Sequence, residues 1–538
     1  MTGPPSFPVT SRELLHYYYA QYDANIASGK YEPIVFPWCG APAAAVVLYL
    51  LIPHNNSYFI RKARYLVFAF IIAFTAYQIT FCTTRNMAPC YANGVVSAWL
   101  VIACTANIIF NDAQSDFQRM VYKNQRPQEN GTSHQENNVQ YGGTHPAKER
   151  SKEIEKKNEG QALSSRRQKS FAWQPYPLES IKDRLQWVID LTGNTRGANW
   201  SWRTRTISRP PKWVREQLRE NSGPKAATEH AHAGVTESYP TRRELLLANL
   251  RTLAISYLCL DLAKGIMARD PYFWGYPDLP PPTYLPSFIS SSPVLLRAYR
   301  LYVTLFGVRY ALEAVYTFSP LFFAGVASAF VGAWAEPWMY PPTFGSAIHV
   351  VERGLAGTWA DWWHQTFRFG LEAPSKSFIA AIGMNPRSVP AKLIQVFTAF
   401  ALSGLMHACG SATQAGPTTP LRPFLFFMTQ GLGCLVEDVL TKLARRAGLH
   451  HYVPKPIRLG FTVAYLHIWG YYTAPLMADD MARGGIWLTD PVPFSPLRAI
   501  GLGPPGDDRW LLWGGWPWEG QWAYFHRGST WWKSGIAF

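Results

Sequence analysis

His407 stands inside an apolar run, Ala401-Leu402-Ser403-Gly404-Leu405-Met406-His407-Ala408-Cys409-Gly410-Ser411-Ala412. An ionisable side chain within a membrane-length segment is costly, so it is a functional candidate by default. At helical spacing its neighbours three and four residues away are Ser403, Gly404, Gly410 and Ser411. That face carries two hydroxyls and almost no bulk. A neighbouring helix or a substrate can come close to it, and either Ser403 or Ser411 is placed to bond one ring nitrogen and set the tautomer. A neutral imidazole held in this way is a general base for an alcohol. The pattern fits equally well a packing histidine bonded to Ser403 or to a carbonyl. His467 lacks a small-residue face and reads as packing.

A second cluster is Trp359-Ala360-Asp361-Trp362-Trp363-His364-Gln365-Thr366-Phe367-Arg368. If the segment is helical, Asp361, His364 and Arg368 share a face, so that a carboxylate orients an imidazole and a guanidinium projects beside it. Arginine suits phosphate because its donors form a planar fork. Trp362-Trp363 beside charges fits an interfacial anchor as well. No His or carboxylate spacing supports a metal site, and the seven cysteines form no CxxC pair, which argues against a zinc module or a disulfide framework.

The elements that must position these groups are hydrophobic. The chain has 538 residues with 22 Trp, 28 Tyr and 30 Phe, and only 16% charged residues, a composition typical of membrane proteins. Runs close to bilayer length lie at 33–53, 64–82, 94–112, 244–264, 391–412, 422–440 and 457–477. The stretch 295–334 is too long for one span and carries Arg297, Arg300 and the Arg309/Glu313 pair. Residues 113–243 hold 23 Lys+Arg against 14 Asp+Glu, a net +9 of the chain's +16, and basic loops stay cytosolic. With one net crossing at 295–334, the charges predict an all-α polytopic bundle of about eight crossings, with the N-terminus outside and 335–390 in the cytosol.

The predicted organisation is an N-terminal membrane region with three spans at 1–112, a basic, partly disordered cytosolic loop at 113–243, a membrane core at 244–480 and a Trp-rich interfacial tail at 481–538. The disorder is expected at 123–170, which is polar and poor in large apolar residues. Three Asn-x-Ser/Thr triplets, at Asn55, Asn130 and Asn199, fall on the cytosolic side and read as chance matches. The first thirty residues lack a signal-peptide pattern. The basic excess marks a membrane side, and no nucleic-acid partner is expected.

Three motifs occur in order: Trp338-Met339-Tyr340-Pro341-Pro342-Thr343-Phe344-Gly345-Ser346, Trp363-His364-Gln365-Thr366-Phe367-Arg368, and Ser403-Gly404-Leu405-Met406-His407. In this arrangement the sequence resembles the wax-synthase-like branch of the membrane-bound O-acyltransferases. Upstream, Arg196-Gly197-Ala198-Asn199-Trp200 resembles a stretch found in filamentous-fungal members. The core of the resemblance covers about 340–440. It implies a helix bundle enclosing an acyl-transfer tunnel, with acyl-CoA reaching it from the cytosol and a lipophilic alcohol by another route. The family's intramembrane histidine carries over to His407, and His364 is a second functional position. Arg353, Arg368, Lys376 and Arg387 are cations for CoA, and Asp361 and Gln365 are orienting residues. Val351–Gly357, with two glycines, departs from the family's aromatic-rich approach to this segment.

His407 lies about sixteen residues into its span, about 24 Å at helical rise, whereas His364 is predicted near the cytosolic end. The two meet only if 359–368 dips into the bundle. The expected division makes His407 the base and places His364 with Arg368 at the CoA end. By resemblance, the expected reaction is acetyl transfer from acetyl-CoA, a co-substrate with no permanently bound cofactor, to a hydroxyl of a terpenoid or meroterpenoid. The expected setting is a multi-pass protein of the endoplasmic reticulum membrane. The alternatives are a long-chain acyl-CoA wax or sterol ester synthase and, from another class, a proton-coupled transporter. The latter would be expected to show two related halves, which the sequence lacks.

Overall fold

The computed structural model describes residues 10–123, 170–221, 234, 236–503 and 523–537. Within them the main helices are α1 Ser11–Ala27, α2 Ala41–Leu51, α3 Arg64–Phe81, α4 Met87–Cys104, α5 Ile181–Gly193, α6 Arg242–Met267, α7 Pro293–Pro320, α8 Ile348–Gly357, α9 Arg368–Ala381, α10 Val389–Ala412, α11 Leu421–Arg446, α12 Lys455–Thr473 and α13 Pro475–Arg483. Polar caps set several starts. Asn86 accepts from Ala88 N at 3.3 Å to open α4, and Ser388 accepts from Ala391 N at 3.3 Å to open α10. At α6, Thr241 accepts from Glu244 N while its hydroxyl donates to the Glu244 carboxylate.

Five helical stretches are long and apolar enough to cross a membrane: Tyr58–Phe81, Met87–Ile109, Arg242–Met267, Val389–Ala412 and Leu421–Arg446. The remaining expected spans take other forms. The run at 33–53 folds as a 3-10 turn followed by the eleven-residue α2, shorter than a bilayer core. The stretch 295–334 becomes the unbroken 28-residue α7 and a π-turn at Leu321–Val326. Three of its charges are paired, and Arg297 lies over the Tyr471 ring. Arg300 clasps the fully buried Asp270 through two bonds of 3.0 and 2.8 Å, and Arg309 meets Glu313 at 2.5 Å. A buried ion so satisfied avoids the penalty of an unpaired one.

α10 lies at the centre, packed between α4 and α11 with α9 against it, while α6 runs along α7. The α4–α10 contact depends on two glycines. A Cβ on Gly94 would sit 2.0 Å from the Cys409 carbonyl oxygen, and one on Gly410 would sit 2.6 Å from Val95 Cγ2 and 2.8 Å from Tyr91 Cε2. Thr413 latches the pair: its hydroxyl donates to Cys90 O at 2.7 Å and accepts from Gly94 N at 3.2 Å.

The described parts of 113–243 are folded against the helices. Strand β1 Arg119–Lys123 pairs antiparallel with β2 Ser170–Gln174. Trp187, Trp200 and Trp202 join Val46, Leu50, Ile71 and Ile108 in one core. The bulk of the expected disordered stretch, 124–169, lies outside the described residues. So do five tryptophans of the C-terminal tail: Trp510, Trp513, Trp516, Trp518 and Trp522. Trp531 and Trp532 are exposed, whereas Trp487 packs against a core. The tail also adds β3 Tyr524–His526 and β4 Gly535–Ala537, which form an antiparallel sheet with Val35–Phe36.

Gly410→Val forces α4 and α10 apart and is expected to destabilise the detergent-purified protein by about 1–3 kcal/mol, as overpacking does. Thermal unfolding measures it, and an unchanged melting temperature would mean that the helices do not meet there.

Candidate active site

The close α4–α10 contact brings Tyr91 onto His407. The Tyr91 hydroxyl lies 2.6 Å from His407 Nδ1. On its other side the imidazole stacks on Phe427 of α11, with centroids 4.6 Å apart and planes within 16°. The ring therefore has a fixed plane, one nitrogen engaged and Nε2 left for another partner. Among the described residues neither serine of the expected pair bonds the ring: Ser411 is fully buried and interacts with the Asp480 carboxylate, and Ser403 has no hydrogen bond to the imidazole. A phenol from the next helix reaches the nitrogen because the glycine face admits α4. The buried carboxylate of Asp480 in α13 lies within electrostatic reach of Tyr91 and is itself anchored by Thr419 N at 2.7 Å.

The second cluster is not one helix. α8 kinks at Gly354, whose φ of +57° suits glycine, and the chain then forms a π-turn at Thr358–Trp362. Trp363 is extended, at φ −64° and ψ 147°, and helix resumes only at Arg368. Asp361, His364 and Arg368 are consequently separated. Asp361 pairs with Arg353. Arg368 donates to Glu372 at 2.5 Å, to Gln365 Oε1 at 2.7 Å and to Ala360 O at 3.0 Å. Lys376 meets the same Glu372 at 2.6 Å. Gln365 closes the turn by donating to Trp363 O at 2.7 Å and Trp359 O at 3.0 Å.

This broken segment enters the bundle. Phe367 packs on Trp99 at 4.6 Å and in a cluster with Met406, the residue before His407. Trp359 reaches Phe427, the ring beneath His407, at 5.8 Å. His364 therefore comes within electrostatic range of His407, and the dip needed for the two to meet is present. Around the His364 ring stand Trp363 at 5.4 Å, Phe367 at 5.5 Å, Tyr316 at 6.0 Å and Phe344 at 6.1 Å. Its Nδ1 is buried and has no hydrogen-bond partner among the described residues. Burial, then the neighbouring His407 and Arg196, pull its pKa down to about 3.

Arg196 was legible only as part of a motif. Its guanidinium donates to Pro341 O at 2.8 Å and Pro342 O at 2.9 Å, joining the upstream motif to the Trp338–Ser346 segment. That segment is tied in turn to the π-turn by Gly345 N donating to Trp362 O at 2.9 Å. The loop holding Arg196 is itself fixed: Asn194 accepts from Gly197 N at 2.7 Å, and Asn199 and Trp200 donate to buried Asp190 at 3.0 and 3.2 Å. Asn199, one of the three triplets, is thus a buried structural residue. Tyr91, Phe427 and Tyr316 went unseen in the sequence because nothing local distinguishes them from other aromatic residues of the helices.

A histidine buried as the neutral form makes stability pH-dependent. The unfolded chain takes up a proton below about pH 6.5 while folded His364 does not, so its contribution is intact above pH 6.5 and lost as pH falls toward 3. Between pH 7.5 and 5, the melting temperature of His364→Gln in detergent is expected to fall less than that of the parent. Equal slopes would rule out a buried neutral His364.

Residues 340–429, which hold the Pro-Pro-Thr-Phe segment, the π-turn and His407, match the family model of the membrane bound O-acyl transferase family. The chain is 23% identical over 337 residues to acetyltransferase aurG of Calcarisporium arbuscula, covering 60% of this chain and 71% of that protein. It is 25% identical over 273 residues to acetyltransferase ple2 of Rhodocybe pseudopiperita, covering 50% of this chain and 60% of that one. With O-mevalon transferase macI of Penicillium terrestre the identity is 23% over 279 residues, 48% of this chain and 54% of that one. No solved structure matches significantly. The chain is an O-acyltransferase enzyme with a membrane bound O-acyl transferase segment at 340–429, similar to fungal proteins named as acetyltransferases.

Proposed function

We propose that the protein transfers an acetyl group from acetyl-CoA to a hydroxyl of a terpenoid or meroterpenoid, with His407 as general base and His364 beside it. The observation that carries this reading is the 2.6 Å bond between His407 Nδ1 and the Tyr91 hydroxyl. With Nδ1–H donating to the phenol oxygen, the lone pair of Nε2 faces the bundle interior. The acceptor hydroxyl gives its proton to Nε2 as its oxygen attacks the thioester carbonyl. The tetrahedral intermediate collapses, the ester carbonyl reforms and the CoA thiolate leaves with the proton from His407. Packing of the two histidines and their aromatic neighbours supplies orientation in a water-poor space.

Relatives named as acetyltransferases support the acetyl group, and the terpenoid or meroterpenoid acceptor rests on the resemblance to fungal members. At the CoA end, Lys376 and Arg353 keep side-chain exposures of 64% and 48%, open enough to meet phosphates in addition to their carboxylates Glu372 and Asp361. Arg368 holds the turn between them. A multi-pass arrangement of about eight crossings around a tunnel, built on the five apolar spans with α7 and α12, belongs to the same reading, as does placement in the endoplasmic reticulum. The relative named as an O-mevalon transferase favours a second reading, the same chemistry with a different transferred group.

Membranes containing the protein, given labelled acetyl-CoA and hydroxylated terpenoids, are expected to form the acetyl ester. His407→Ala at matched expression is expected to lose about 10²- to 10⁴-fold in rate, the usual contribution of acid–base catalysis. Parent-like activity of that variant would refute the assignment, and a donor preference for longer or branched acyl-CoA would favour the second reading.

A further inference from the structure

A buried guanidinium is normally matched by a carboxylate, since an unpaired charge in a low-dielectric interior is expensive. Three interior arginines obey this: Arg300 has Asp270, Arg119 has Asp190, and Arg309 has Glu313. Arg196 differs. Among the described residues its guanidinium bonds to the two proline carbonyls and pairs with no carboxylate. The groups its charge meets are the Tyr316 phenol and the His364 ring. Burial pulls its pKa down to about 10, and it nevertheless retains some accessible surface. His364 and His407 are likewise partly accessible within the packed interior.

Resting on the acyl-transfer reading above, we propose that Arg196 stabilises the oxyanion of the tetrahedral intermediate. Its fork is clamped on one side by the carbonyls of Pro341 and Pro342, which fixes the guanidinium plane without neutralising it. The remaining donors and the full positive charge are then available to an anion that exists only during the reaction. As the acceptor oxygen bonds to the thioester carbon and its proton passes to His407, the carbonyl π electrons move onto oxygen, and that charge is met by Arg196. When the carbonyl reforms, the C–S bond breaks and the thiolate takes the proton from His407, which leaves Arg196 unchanged. A carboxylate counter-ion would defeat the purpose, because a charge held only in the transition state lowers the barrier, whereas one already satisfied in the ground state does not.

The test compares Arg196→Gln and Arg196→Lys with the parent. It measures kcat with acetyl-CoA and binding of S-ethyl-CoA, a thioether analogue that keeps every CoA phosphate but has no carbonyl oxygen. Removing an oxyanion donor typically lowers kcat by about 10²- to 10³-fold. Arg196→Gln is expected to show that loss while binding S-ethyl-CoA within about twofold of the parent, and Arg196→Lys, which keeps the charge, to recover at least about tenfold of it. A parallel loss of S-ethyl-CoA binding would place the charge on the CoA phosphates and overturn the proposal. So would equal activity of the Lys and Gln variants, parent-like turnover of Arg196→Gln, or failure of both to fold, which would make the proline clamp the whole role. If Arg196→Gln alone fails to fold, Arg196→Lys decides by its kcat at intact S-ethyl-CoA binding: retention within about a hundredfold supports the proposal, and a loss as deep as that of His407→Ala overturns it. His407→Ala also separates the two readings. Its inactivity beside an active Arg196→Gln sinks only the present inference, whereas its full activity sinks the acyl-transfer assignment.

Discussion

The backbone-to-backbone approach of helix α4 to helix α10 is the constraint on which the site depends. Gly94 meets the Cys409 carbonyl backbone to backbone, and the bare Gly410 makes room for the Tyr91 and Val95 side chains. Close packing of this kind replaces the hydrophobic drive that membrane helices lack between themselves. Its consequence is chemical: at that separation a phenol on one helix reaches an imidazole on the other. A bulkier face on α10 would leave His407 an isolated polar ring in an apolar bundle. On the opposite side α11 supplies Phe427, so the ring is held between a hydrogen bond and a stack.

Polar groups elsewhere in the interior show how the fold tolerates them. Arg300 with Asp270 and Arg119 with Asp190 are neutralised in place, and Lys264 is wrapped by the carbonyls of Trp487, Leu488 and Thr489. These groups hold loops and helix ends together. The groups around the two histidines are arranged differently: His364 leaves Nδ1 unbonded and Arg196 is bonded to neutral carbonyls. An unbonded imidazole nitrogen and a carbonyl-bound guanidinium, on segments converging from three separate motifs, fit a candidate site.

Much of this was legible in the chain. The apolar runs at 64–82, 94–112, 244–264, 391–412 and 422–440 fall on the five span-length helices, because length and hydropathy are local properties. The small-residue face of His407 does admit a neighbouring helix. The three motifs converge, and residues 340–429 carry the family match. The helical face proposed for Asp361, His364 and Arg368 did not form. Spacing assumes an unbroken 3.6-residue period, and the π-turn at Thr358–Trp362 with the extended Trp363 breaks it. The break is also what lets the segment turn inward and carry Phe367 to Met406.

By itself, then, the sequence determined which segments are apolar enough to enter a membrane, which histidine is embedded in one of them and which face of its helix is bare. Periodicity and composition settle such questions because they concern a helix and its own surface. Only the tertiary structure decided what covers that face. Tyr91 is 316 residues away from His407, and Arg196 reaches prolines 145 and 146 residues downstream. No local pattern encodes partners at such separations. They are selected when helices with bare faces pack and whichever polar groups then lie opposite each other must bond or remain unsatisfied.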